Sequence, residues 1–491
     1  MTISELKQKG NIHVVGASSA EGSAILDFLI NQGIVGVTAH DFKSKPGFEE
    51  SYNSFHDYLS PKEKKAQFQK LTRAPIKFDF KDQYLDGIEN ADLIFVTQAW
   101  FRYAPNFPKL KEAKEKGIPF SSITKLYFAL FPGKIIAITG SSGKTTTSNL
   151  IAEIVKKSKF KSYFTGNDRL QKPVLNEIVN AKKDEVLIIE VSNRQLMLDL
   201  GKNPQIGVIT NLSPNHLDDH GTFENYIKAK RSLLDYQTKG DFAILNYDNK
   251  HTREIGENGS LKSEPIYFSR TRDLEKGIFV RKNQIVTKLN KEHDICSTFD
   301  LQIKGPHNIE NALAAVAATL VLDIEPQIIA KALKEFKGVR SRLEFVKKIG
   351  GVKFYEDSSA CNPDGPRYAV QSFKKPIVLI AGGYRKNPIK GEFDEMAKAV
   401  LNNNVKAVIL IGEMRDFICN AINKQVEKIK KSVLVHKVDS LEEAVHKSLR
   451  ISDKGDVVVM SPGCESFGMF KDYRERAERF KELVNELSVN S

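Results

Sequence analysis

Cysteine is scarce in this chain of 491 residues: only Cys296, Cys361, Cys419 and Cys464 occur, and no two are closely spaced. That excludes a disulfide framework, argues against a zinc knuckle and predicts reduced thiols. No apolar run approaches the ~20 residues that cross a bilayer, so no membrane insertion is expected. The opening MTISELKQKGNIHVVG has no basic start followed by an apolar stretch and a small-residue cleavage site, and a cytoplasmic protein is the expectation. Internal repeats, low-complexity segments and Pro- or Ser-rich linkers are also missing. Acidic residues are the minority, 61 against 74 Lys and Arg, for a formal net charge of +13. The basic residues are dispersed among acids at helical spacing, in KEAKEKG, KKSKFK, KALKEFKG and KQVEKIKK. They read as solvated helix faces, and without an aromatic-interleaved basic groove no nucleic-acid partner is expected. The same positive field favours an anionic small substrate such as a nucleotide.

What is present is 41% hydrophobic and 27% charged, the profile of a globular protein long enough for about three domains. Short buried-strand runs alternate with helical patterns, which predicts an α/β fold with largely parallel sheets. The stretch NIHVVGASSAEGSAILDFLINQGIVGVTAHDF reads strand, turn, helix, strand. Gly16 and Gly22 bracket its turn and Asp41 ends its second strand, an imperfect relative of the dinucleotide fingerprint. Residues from Lys43 to about Asp82 show no clear period and read as an insertion or long loop. A second unit runs through VLIIEVS, IGVITNLS, FAILNYD and the helix NIENALAAVAATLVL. A third, from GVRSRLEFV, contains KPIVLIAGG, AVILIG and DVVVMSPG, whose strand ends are where open α/β sheets take ligands. The expected division is residues 1–125, Rossmann-like; 126–338, a phosphate-loop domain; and 339–491, again Rossmann-like.

One segment carries recognisable chemistry. AITGSSGKTTTSNLIAEIV, from Ala137, reads as a strand end, a small-residue turn and a helix opening with a lysine and three threonines. A standard phosphate loop has glycine five positions before its Gly-Lys pair, and Ile138 stands there instead. Gly140 and Gly143 still permit an anion nest of backbone N–H groups at a helix N-terminus, Lys144 supplies a point charge, and the Thr145 hydroxyl can ligate Mg2+.

The shortened loop TGSSGKTT resembles that of the Mur ligases and the related folylpolyglutamate synthetases. GPHNIENALAA is similar to their HNxxN element, and SRLEFV carries the arginine, Arg342, expected at the start of a third domain. YEDSSACNPDG, LIAGGYRKN and SPGCESFGMFKDYRERAERFKELV resemble the glutamate-adding branch of the Mur ligases, the last speaking against a folate enzyme. The resemblance implies a three-domain ligase, working as a monomer, that adds D-glutamate to a UDP-linked muramoyl-alanine acceptor in peptidoglycan precursor synthesis, with ATP and Mg2+ and through an acyl phosphate. It implies ATP contacts from Gly140, Ser141, Ser142, Gly143, Lys144, Thr145, Thr146, Asn308, Asn311, Arg342 and Asp357. It implies metal ligation by Thr145, Glu190, His216 and a carbamylated Lys230, which with Lys144 form the catalytic set. Substrate contacts fall on Asn167, Cys361, Lys386, Ser466 and Phe470. On the residues alone, Glu190 is equally a solvent-facing strand end, His216 a surface loop histidine and Lys230 one of several helix-face lysines.

The pattern departs from the family in two places. Ser359 and Cys361 stand where a lysine and a threonine are expected near the amino acid, with Arg385 a candidate to restore the charge. WFRYAPNF follows ADLIFVTQA where the family has a Ser-Pro-Gly turn near the uridine. A Mur-type ligase using L-glutamate or another acidic amino acid therefore stays open, as does a phosphate-loop nucleotide-binding protein that is not a ligase.

Overall fold

The computed structural model describes every residue except 104, 105, 107, 167–170, 387 and 489–491. The chain forms two compact units, Met1–Ser297 with Glu310–Leu333, and Thr298–Ile309 with Lys334–Ser491. The first holds two sheets and the second one.

In the N-terminal sheet β1 (Ile12–Val15), β2 (Val37–Asp41), β3 (Lys77–Phe80), β4 (Leu93–Phe95) and β5 (Phe120–Ser121) are parallel in the order β3-β2-β1-β4-β5. The order reverses between β1 and β4, so a crevice opens beyond their carboxyl ends. The Gly16–Ser19 turn and the loop after Phe95 flank it. Asp41, at the end of β2, accepts hydrogen bonds from the Ser18 and Lys43 amides at 2.8 and 3.0 Å, which pins that rim.

The segment expected to be an insertion or long loop is ordered structure: helices Lys45–Phe55 and Pro61–Arg73, then β3. Ser60 and Glu63 form a capping box ahead of Pro61, which starts the second helix. The helical period exists but is sparse, Phe48 and Tyr52 on one helix and Phe68 and Leu71 on the other, surrounded by charge. Phe48 packs against Phe68, Phe78 and Phe80 with ring centroids 5.7, 5.6 and 5.2 Å apart, and that burial decides the structure.

A chain of hydrogen bonds, buried at its histidines and open to solvent at Asn11, crosses the sheet. The Leu85 amide donates to His40 Nδ1 at 3.2 Å, His40 Nε2 meets His13 Nδ1 at 2.7 Å, His13 Nε2 meets Asn11 Oδ1 at 3.0 Å, and Asn11 Nδ2 donates to the Asn90 carbonyl. An amide donor at one end and an amide oxygen at the other leave one consistent tautomer set, both imidazoles neutral with hydrogen on Nε2. Burial drives the His40 pKa down to about 3 and lowers that of His13.

The central sheet contains β6 (Lys134–Thr139), β7 (Ser162–Thr165), β8 (Val186–Glu190), β9 (Ile206–Ile209), β10 (Phe242–Asn246), β11 (Glu264–Ser269), β12 (Gly277–Arg281), β13 (Gln284–Lys288) and β14 (Glu292–Ser297). Their order is β14-β13-β12-β11-β10-β9-β6-β8-β7, parallel from β7 to β12 and then an antiparallel meander. The meander turns at Lys282 and Asn283, both at positive φ, as a two-residue hairpin requires. The third sheet holds β15 (Glu344–Ile349), β16 (Val352–Glu356), β17 (Ile377–Gly382), β18 (Val405–Ile411), β19 (Leu434–Lys437) and β20 (Val457–Met460), ordered β15-β16-β20-β17-β18-β19. Its centre, β17 and β20, is wholly apolar and buried, which places the loops after Gly382 and Met460 side by side.

Candidate active site

The phosphate loop joins β6 to the helix Lys144–Lys156, with Gly143 as a left-handed N-cap at φ 82°. Neither glycine is replaceable. A Cβ on Gly140, at φ 145°, would lie 2.0 Å from Thr210 Oγ1, and one on Gly143 would lie 2.2 Å from Asn311 Oδ1. The missing first glycine is explained by the same packing, because Ile138 is an interior residue of β6 paired with Val208 and Glu190 rather than part of the turn.

The loop is braced from behind by the segment after β9. The Asn211 carbonyl accepts from Ser141 N at 2.9 Å, Asn211 Oδ1 accepts from Ser142 N at 3.0 Å, and Thr210 Oγ1 donates to the Ser142 carbonyl at 2.6 Å. Ser141 Oγ lies 3.0 Å from Tyr226 OH. These bracing residues escaped the sequence reading; the available signal was a polar pair directly after a buried strand. Lys144 Nζ folds over the loop to donate to the Gly140 carbonyl at 2.9 Å, the position from which a phosphate would draw it. Thr145 and Thr146 are buried in the first helical turn, and Asn311 accepts from Thr147 Oγ1 at 3.3 Å.

Beneath the loop sits Lys230, 1% exposed, on the helix Phe223–Arg231. Its Nζ donates to Thr139 Oγ1 at 2.9 Å and lies 5.5 Å from the Tyr226 ring centroid. Burial chiefly, with the Lys144 charge adding, holds its pKa well below that of an ordinary lysine, while Glu190 opposes. The solvated helix-face alternative for Lys230 is therefore ruled out by position. Glu190 is buried at the end of β8, not turned to solvent.

His216 is half-buried at φ 51°, capping the short helix Leu217–His220. Desolvation first, then the Arg194, Lys144 and Lys230 charges, push its pKa down to about 4, so the ring is neutral with a lone pair to donate. By donor chemistry a carboxylate such as Glu190, the Thr145 hydroxyl and a neutral imidazole would make a mainly oxygen set of the kind that an oxygen-preferring divalent cation takes. Lys230 joins such a set only if its amine becomes a carbamate; unprotonated amines are the form that adds carbon dioxide.

Asn308 and Asn311 are both buried on the helix Pro306–Leu320, Asn308 in the second compact unit and Asn311 in the first. Asn167 lies outside the described residues. In the second unit Arg342 is carried by a turn whose neighbours Ser341 and Leu343 are left-handed, at φ 58° and 48°. Such strain persists where the surroundings hold it. Here the Leu343 amide donates to Asp357 Oδ1 at 3.2 Å, and Ser359 Oγ donates to the Ser341 carbonyl at 2.7 Å. Asp357 is buried and accepts from Ser461 Oγ at 2.6 Å; burial above all, against that hydroxyl and the Arg342 charge, raises its pKa to about 7.

The amino-acid residues expected from three separate segments come together in this unit. Tyr384 and Glu465 exchange backbone hydrogen bonds of 2.9 and 3.0 Å, joining the loop of Lys386 to that of Ser466. Arg476, 1% exposed, donates to the Cys464 carbonyl at 3.2 Å and the Ser358 carbonyl at 2.9 Å, tying in the segment of Ser359 and Cys361. Arg476 was missed because its helix, YRERAERFKELVNE, reads as charged throughout. Ser466 is buried, Lys386 exposed, and Phe470 packs on the core beneath. Burial raises the Cys361 thiol, which stays protonated. Arg385 does not restore a free charge, since its guanidinium is ion-paired with Glu392.

The chain is similar to known proteins over most of its length. The Mur ligase middle domain matches residues 138–319, and the Mur ligase, glutamate ligase domain, matches 341–464. The UDP-N-acetylmuramoylalanine–D-glutamate ligase of Acetivibrio thermocellus is 38% identical over 429 residues, 87% of this chain and 89% of that one. The protein of the same name from Caldanaerobacter subterraneus subsp. tengcongensis is 35% identical over 491 residues, covering 98% and 99%. Among solved structures, the MurF ligase of Thermotoga maritima in complex with ADP superposes with a TM-score of 0.55 at 17% identity, covering 81% of this chain and 90% of that one. No helix among the described residues is long and apolar enough to cross a membrane.

Proposed function

This chain belongs to the Mur ligase family of ATP-dependent amide-bond-forming enzymes, and on that premise we propose that it adds D-glutamate to UDP-N-acetylmuramoyl-L-alanine during peptidoglycan precursor synthesis in the cytoplasm, as a monomer. The reaction needs the acceptor carboxylate activated. A carboxylate oxygen attacks the γ-phosphorus of ATP, ADP leaves, and an acyl phosphate results; the deprotonated glutamate nitrogen then attacks the acyl carbon and inorganic phosphate departs.

In this reading residues 1–125 hold the UDP end, 126–338 most of the ATP site, and 339–491 the amino acid. In the Gly140–Thr146 loop, Lys144 and the amides from Gly143 onward hold the transferring phosphate while those of Ser141 and Ser142 keep the loop on Asn211, and Asn308, Asn311, Arg342 and Asp357 complete the ATP contacts. A Mg2+ held by Thr145, Glu190, His216 and carbamylated Lys230 would neutralise charge gathering on the phosphoryl oxygens. Lys386, Ser466 and the backbone near Phe470 hold the glutamate carboxylates, with Asn167 and Cys361 beside the substrates.

The observation that carries the reading is the juxtaposition of a phosphate nest closed by Lys144 with a buried Lys230 behind it, bonded to Thr139 Oγ1 and with its pKa lowered by that burial. The ion pair of Arg385 with Glu392 leaves the second reading, another acidic amino acid, in play. Phosphate release from ATP, Mg2+ and UDP-N-acetylmuramoyl-L-alanine with D- or L-glutamate, the product identified by mass and chirality, tests both. Release only with the acceptor and D-glutamate is expected. Release with L-glutamate alone favours the second reading, and none with either enantiomer removes glutamate ligation to this acceptor and leaves the ATP site serving another amino acid or acceptor.

A further inference from the structure

One residue beyond Glu190 the chain continues as Ser192, Asn193, Arg194 and Gln195, and each of these four side chains bonds to another segment. Ser192 Oγ donates to Gln98 Oε1 at 3.0 Å and Gln195 Nε2 donates to Glu21 Oε1 at 3.0 Å. Gln98 lies in the loop after β4 and Glu21 in the first turn of the helix Ala20–Asn31 that follows the Gly16–Ser19 turn, so both stand at the crevice of the N-terminal sheet, and the Gln98 amide donates to Glu21 at 2.7 Å. The inner pair turns the other way. Asn193 Nδ2 is 3.0 Å from His220 Nε2, and Arg194 Nε donates to Asp219 Oδ2 at 2.8 Å, both on the short helix that His216 caps.

Asp219 is the meeting point. Its side chain is 1% exposed, and Arg102, from the loop after β4, reaches its other oxygen through Nε at 3.0 Å while also pairing with Asp218. His216 Nδ1 lies 4.0 Å from Asp219 Oδ2. His216, Asp218 and Asp219 bring ligand atoms within 4.8 Å of one another, the spacing of a metal cluster. Both carboxylates are nevertheless claimed by guanidinium groups, which suits them to holding the helix rather than an ion. Arg194 comes from the strand end that carries Glu190, Asp219 from the helix that carries His216, and Arg102 from the crevice rim.

We propose that Asp219 is a positioning residue for the metal-binding half of the site: clasped by Arg194 and Arg102, it sets the separation of Glu190 and His216 and links it to the loop that borders the acceptor crevice. This rests on the reading of Glu190 and His216 as metal ligands. Removing the clasp leaves both ligands present but unregistered, so metal affinity falls without loss of the nucleotide nest.

The test is Mn2+ binding to the enzyme–ADP complex, read as loss of the free-ion paramagnetic resonance signal, beside ADP affinity measured without metal. Asp219→Asn is expected to weaken Mn2+ about 10-fold, as loss of an outer partner of metal ligands does, with metal-free ADP affinity within about twofold. Arg194→Gln should match it and Arg194→Lys should recover most of the affinity, a rescue that general destabilisation does not produce. If Asp219→Asn does not fold, the Arg194→Gln and Arg194→Lys pair decides by the same readout. Mn2+ affinity unchanged in the clasp variants, while Glu190→Ala abolishes binding, overturns the positioning role alone. Mn2+ retained by Glu190→Ala overturns the metal-site reading and this inference with it.

Discussion

Replacing Asp357 by Asn should stabilise the unit that contains it while impairing the enzyme. The carboxylate is buried with a folded-state pKa of about 7, against 3.8 for the free side chain. Between those values the folded chain holds a proton that the unfolded chain has lost, so stability falls as pH rises through the window and the loss is complete above about pH 7. A difference of about 3 units corresponds to about 4 kcal/mol as an upper bound. Asn keeps Oδ1 for the Leu343 amide, and the Ser461 hydroxyl can reverse to accept from the new amide, so shape and bonding survive. Hydrogen-exchange mass spectrometry of peptides from β17 and β20, corrected for intrinsic rates, reads the change directly. At pH 8 the variant should exchange at least about 10-fold more slowly, each tenfold being about 1.4 kcal/mol, and the advantage should vanish below about pH 3, where both states are protonated. Ligation by the variant should drop in the same preparation, because the charge lost is the one proposed to meet ATP. Equal or faster exchange at pH 8 would refute the argument that desolvation outweighs the two hydrogen bonds.

Lys144→Ala should abolish ATP-dependent phosphate release, and a near-normal rate would remove the ligase reading. Gly143→Ala places a methyl 2.2 Å from Asn311 Oδ1 at φ 82°; ATP binding, followed by calorimetry, should be lost while an exposed control such as Gly201→Ala binds normally. The histidine chain of the N-terminal sheet predicts acid sensitivity. Unfolded histidine gains its proton near pH 6.5 but His40 does so only near 3, so exchange protection of β1 and β2 should decline as pH falls from about 6.5 toward 3. His40→Gln should flatten that decline, and an unchanged slope would contradict the tautomer assignment. Arg476→Met leaves the Ser358 and Cys464 carbonyls unpaired in the core, which should cost about 2–4 kcal/mol in urea unfolding; a change below about 0.5 kcal/mol would show that water replaces the guanidinium.

Much of the fold was legible because its elements are local. The runs VLIIE, IGVI, IVLIAG and VVVM are each long enough and apolar enough to be buried strands without reference to anything distant, and the turn before Lys144 announces its anion nest by glycine, serine and the helix that follows. The failures were of two kinds. Lys43 to Asp82 hid two helices because their apolar stripe is thin and only the aromatic packing of Phe48, Tyr52 and Phe68 reveals it. Arg476 was missed, and Lys230 and Glu190 were singled out by the family resemblance alone, since burial of a titratable group is a property of the neighbours that cover it and leaves no local mark.

By itself the sequence determined the α/β character, the phosphate loop and the family, because strand periodicity and the TGSSGKTT spacing act within a few residues of chain. Only the tertiary structure decided which lysine is stripped of water beneath that loop, which aspartate takes up a proton near neutrality, and that Arg194 and Arg102 converge on Asp219 from loops far apart in sequence. Desolvation and Coulomb interaction depend on distance through space, and a linear order of residues does not contain it.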